Sequence, residues 1–74
     1  MTVTILEALS SQYIADLKKL AVNIENYTSN SVGVAEPPDI VTEVDKLIEQ
    51  VASAEEKLKI VQEMLQVELE RSDD

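Results

Sequence analysis

Asp39–Leu69, DIVTEVDKLIEQVASAEEKLKIVQEMLQVEL, decides the fold. Its apolar positions Ile40, Val44, Leu47, Val51, Ala54, Leu58, Val61 and Leu65 step by 4, 3, 4, 3, 4, 3 and 4 residues. A helix with this heptad seam has to bury it against another helix, and the slight mismatch with the natural helical repeat favours a left-handed supercoil.

The partner for this seam lies upstream. Thr4-Ile5-Leu6-Glu7 fits a capping box, with Thr2 as the competing start. From there an apolar stripe runs Leu6, Leu9, Tyr13, Leu17, Leu20, Ile24, Tyr27, stepping 3, 4, 4, 3, 4 and 3. That order makes the first eleven residues a hendecad and the rest heptad, which straightens the supercoil from Leu9 to Leu17. Ile5, Ile14 and Ala21 are expected to widen the stripe on one flank. Tyr13 and Tyr27 read as amphipathic rings at the core edge.

The helix breakers cluster between the two patterns. Gly33 is the sole glycine and Pro37 and Pro38 are adjacent. Thr28-Ser29-Asn30-Ser31 competes for backbone hydrogen bonds and frays the first helix. The prolines suit a first helical turn, and Asp39 is placed to cap it or favour its dipole. The expected organisation is one domain over residues 1–74: helix 4–28, connector 29–37, helix 38–71 and a frayed acidic tail 72–74. The fold class is all-α, a two-helix antiparallel hairpin of coiled-coil-like character, completed to a three- or four-helix bundle by oligomerisation. Outward charges at helical spacing, Glu43/Lys46, Glu55/Lys59, Glu56/Lys59 and Glu68/Arg71, add only ~0.2–0.5 kcal/mol each.

Oligomerisation follows from size. Below ~70–80 residues a core rarely supplies more than ~3–5 kcal/mol, and a chain without Cys or His has neither disulfide nor ordinary zinc staple. Helix lengths point the same way. Helix 4–28 spans ~37 Å and helix 38–71 ~50 Å. The shorter therefore reaches only to about Gln62 or Glu63, leaving Met64 to Arg71 without an internal partner. Ile60, Met64 and Val67 also form a second stripe, displaced from the seam. The candidate partner interface is Ile60, Met64, Leu65, Val67 and Leu69.

Formal charge is −9 and uneven: residues 1–38 hold four acids and two bases, residues 39–74 eleven acids and four bases. That surface repels nucleic acid. It also lacks the basic polar face of a membrane-surface helix, and no apolar run approaches the ~20 residues of a membrane span. Residues 1–10 lack the basic start and long apolar run of a signal peptide, which places the expected protein inside the cell, in the cytoplasm, with the nucleus left open. The Asn26-Tyr27-Thr28 sequon is then accidental.

Catalysis finds no footing. Absence of His and Cys removes the usual acid–base and thiol options, along with the Glu-x-x-His pairs of di-iron bundles. A single glycine builds no phosphate loop, and Gly33 lacks the neighbouring acids of a calcium loop. Catalytic, cofactor and metal sites are therefore expected to be none, as is a small-molecule substrate. The expected function is a non-enzymatic interaction or assembly subunit that binds helical chains as a homo-oligomer or hetero-complex. The alternative is an acidic regulator that binds a basic protein surface through helix two.

Overall fold

The computed structural model describes residues 1–29 and 39–72. Two helices pack against each other: α1, Thr2–Ser29, and α2, Ile40–Ser72. Pro37 and Pro38, the expected connector beyond Ser29 and the tail Asp73-Asp74 lie outside the described residues.

Chain geometry makes the pair antiparallel. Lys57 Nζ sits 5.6 Å from the centroid of the Tyr13 ring, which brings the middles of the two helices level. Were the helices parallel, Ser29 and Ile40 would lie ~50 Å apart along the axis. Eleven Cα–Cα steps reach only ~38 Å. In the antiparallel arrangement both lie at the same end, sixteen residues from Tyr13 and seventeen from Lys57.

The seam on α2 is the one its spacing predicts. Ile40, Val44, Leu47, Val51, Leu58 and Leu65 are half-buried, Ala54 and Val61 buried, and the pattern extends to half-buried Glu68. On α1 the inner positions are Val3, Leu6, Ser10, Tyr13, Leu17, Leu20, Ile24 and Tyr27, an uninterrupted alternation of 3 and 4. The expected hendecad is thereby corrected: the heptad runs through Ser10, a polar residue that an apolar count passes over. Leu9 is also half-buried, but with Asp16 and Asn23 it belongs to a flanking column seven residues apart.

The helix starts differ from each other. α1 opens at Thr2, with the Ile5 amide donating to the Met1 carbonyl at 3.0 Å, so Thr4 lies inside the helix and no Thr4–Glu7 capping box forms. α2 is capped by Asp39. The Thr42 amide donates to Asp39 Oδ1 at 3.0 Å and the Thr42 hydroxyl to Oδ2 at 2.6 Å, while the Glu43 amide closes the first turn on the Asp39 carbonyl. Helix two therefore begins two residues later than expected. Near the end of α1 the Thr28 hydroxyl turns back onto the carbonyls of Ile24 and Glu25.

These donors, the Thr42 hydroxyl first and its amide second, hold the Asp39 carboxyl below its ordinary range. A depressed folded-state value stabilises the hairpin above the unfolded carboxylate pKa, and that stabilisation is lost as pH falls through the folded value. Asp39→Ala is expected to lower the melting temperature by several degrees at pH 7. The gap between the two proteins should begin to narrow as pH falls through the ordinary carboxylate range and close only below it, once the folded Asp39 carboxyl itself protonates. Thermal melts across pH measure this; a gap unchanged in acid would mean that the carboxylate is not the cap.

Candidate protein interface

A pair of helices has an inner seam, two flanks and two outer faces, and most of this molecule is flank and outer face. Only Leu6, Leu20, Ala54 and Val61 are buried among the described residues, and no side chain is fully enclosed. The Cα radius of gyration is 17.0 Å, against about 11 Å for a compact chain of this length. Accessible surface is 5631 Å², against about 4500 Å² for a compact monomer of this mass.

One flank is defined midway along by Asp16, Lys19 and Asn23 of α1 facing Gln50, Ser53 and Lys57 of α2 across a polar groove. Moving one heptad toward the end opposite Ser29 and Ile40 makes three of the four columns apolar. Asp16 gives way to Leu9 and Lys57 to Met64, while Ser53 gives way to Ile60 and then Val67. Two heptads before Lys19, its column holds Ile5. The groove thus turns from polar to apolar along its length. Ile5, Ile60, Met64 and Val67 are 52%, 45%, 48% and 54% exposed there, with Leu9 half-buried between the helices. Among the described residues the remaining members of these four columns at this end are Thr2, Gln12, Lys57 and Arg71, so no carboxylate falls within the apolar run; Asp16 follows Leu9 by one heptad, and Asp74, one heptad beyond Val67 in sequence, lies outside the described residues.

The five expected interface residues separate in this geometry. Ile60, Met64 and Val67 share the apolar flank. Leu65 is half-buried on the inner seam. Leu69, 50% exposed, stands two residues and about 200° from Val67, on the opposite flank in the column of Val41 and Ile48. Ile5 and Leu9 complete the flank from α1. Their signal was hidden by treating α1 as one stripe: Ile5 and Ile14 are nine residues apart, half a revolution, and so occupy opposite flanks. Ile5, Ile14 and Ala21 are all exposed rather than a widening of the core.

The reason for exposure also changes. Ten residues from the Tyr13–Lys57 level, Val3 is level with Val67, so α1 runs alongside nearly all of α2 and the bare overhang from Met64 to Arg71 shrinks to about a turn. Met64 and Val67 are exposed by the face they occupy, not because the companion helix stops short. Leu65, on the covered face, is half-buried at the same level.

Elsewhere the surface is plainly solvated. Lys46–Glu43 and Arg71–Glu68 pair at 3.5 and 3.4 Å, and Gln66 donates to Glu70 at 3.1 Å. Among the described residues neither Glu55 nor Glu56 pairs with Lys59; Lys57 instead lies over Tyr13. No group of three or more acidic, His or Cys side chains among them is arranged to hold a metal ion. Neither described helix is long and apolar enough to cross a membrane. Compared with protein-family models, curated proteins and solved structures, the chain matches none.

Proposed function

We propose that this chain is a non-enzymatic association subunit, an intracellular helical hairpin that docks through its apolar flank against helices of another chain to complete a coiled-coil-like bundle. The observation that carries this reading is the contiguity of Ile5, Leu9, Ile60, Met64 and Val67 in a run with no described carboxylate, on a molecule with four buried side chains among its described residues. Scattered apolar residues are ordinary on any surface. A stripe drawn from both helices, and stepping with the seam, is the pattern of a helix with a second neighbour.

The competing reading, an acidic regulator, uses a different surface. Glu49, Glu56, Glu63 and Glu70 form a column seven residues apart on the outer side of α2, away from the seam. The two readings predict opposite cross-linking patterns. A photo-reactive residue at Val67, introduced in the native cell, is expected to give a covalent adduct to a helical segment of a protein, and the same probe at Glu56 none. Adducts from Glu56 alone, abolished by raising salt from low to physiological, would overturn the hydrophobic reading in favour of the acidic one.

A further inference from the structure

Resting on that reading, we infer that the occupant of the apolar flank is a second copy of this chain, related by a two-fold axis near Met64, so that two hairpins form a four-helix bundle over the half remote from Ser29 and Ile40. Charge is the first ground. At −9 per chain, two copies repel wherever their acidic faces meet, and α2 shows carboxylates along its outer column from Glu49 to Glu70. Among the described residues the run of Ile5, Leu9, Ile60, Met64 and Val67 holds none, Asp16 standing one heptad beyond Leu9. Its bases, Lys57 and Arg71, stand at either end of the apolar run. Two copies overlapping along this run therefore bring no carboxylate of the described residues against another within it. A two-fold contact requires such a self-compatible patch.

The opposite flank fails the same condition. There Glu7 and Glu55 fall between the apolar residues Ile14, Ala21, Ile48 and Leu69, whereas Asp16 stands beyond the end of the favoured run, so self-pairing on this side would carry acids into the contact.

Area is the second ground. The chain exposes roughly 1100 Å² more than a compact monomer of its mass, and a standard interface covers ~800 Å² on each partner. A second hairpin along the flank would cover an area of that order. The outer side of α1 beside it is small and uncharged, with Thr4, Ala8, Ser11 and Ala15 all exposed, which lets a neighbouring helix approach closely.

Sedimentation equilibrium of the purified chain tests this directly. A dimer is expected, and Met64→Lys with Val67→Lys together should weaken it about 100-fold while leaving the helical circular dichroism signal in place. Ile48→Lys, on the other flank, should leave the dimer intact. Should the double variant not fold, single cysteines decide, since the chain has none of its own. Met64→Cys should be joined efficiently by a short bis-maleimide and Glu56→Cys should not. A wild-type monomer at about 100 µM, a concentration at which a standard-size interface is normally occupied, would overturn the second copy as occupant. So would a dimer broken by Ile48→Lys but not by the double substitution, or equal cross-linking from both cysteines. A monomer whose Val67 probe still captures a different chain would refute the self-association alone and leave the proposed function standing.

Discussion

Leu20→Ala is expected to abolish most of the helical signal at room temperature. Leu20 is one of four buried side chains among the described residues, and it lies on the polar-groove half of the molecule, away from the apolar run assigned to a neighbour. Truncating a buried leucine costs ~2–5 kcal/mol, the lower half of that range being appropriate to a thin core that solvent can partly refill. The whole stability available to so small a core is ~3–5 kcal/mol. Loss and total are comparable, so far-UV circular dichroism and urea melts should show a largely unfolded population. Val22→Ala is the matched control. Val22 is 58% exposed on the outer side of α1, and its truncation should change stability by no more than about 0.5 kcal/mol. Equal effects from the two substitutions would mean that the seam does not hold the hairpin together.

Ser10→Leu should act in the opposite direction, raising the melting temperature by about 4–8 °C. Ser10 occupies an inner position between Leu6 and Tyr13, half-buried, with buried Val61 at nearly its level on α2. A hydroxyl there contributes no packing, and serine is the poorer helix former. Leucine would add apolar contact and better propensity, together worth about 1 kcal/mol. Leu9→Ser gives the complementary measurement. If the seam runs through Ser10, Leu9 lies on a flank and its loss costs the hairpin less than the same change at Leu6. Destabilisation by Ser10→Leu would show that no room exists beside Val61, since overpacking costs ~1–3 kcal/mol.

Legibility in the sequence followed the completeness of each pattern. On α2 the seam has no polar interruption from Ile40 to Leu65, so periodicity alone assigned the helix and its buried face. On α1 the true alternation contains Ser10, and an apolar neighbour, Leu9, diverted the count by one residue. A one-residue diversion turns the assigned face by about 100°, enough to exchange seam for flank. The candidate interface suffered from a similar limit. Ile60, Met64 and Val67 were legible as a second stripe because they lie on one helix. Ile5 and Leu9 were not, because a surface built from two helices is set by the register between them.

What residue order alone determined is therefore the pair of long helices, their joining as a hairpin, and the buried face of α2. Each follows from local spacing and from breakers confined to residues 33–38. Only the tertiary structure decided which α1 residues face inward, that α1 opens without the expected Thr4–Glu7 box, that Asp39 caps α2 rather than only favouring its dipole, and how far α1 extends along α2. It alone also separated Leu69 from Met64 and brought Ile5 and Leu9 beside them. The physical reason is that helical periodicity is a property of one segment, whereas a flank exists only once two segments are set side by side at a particular offset.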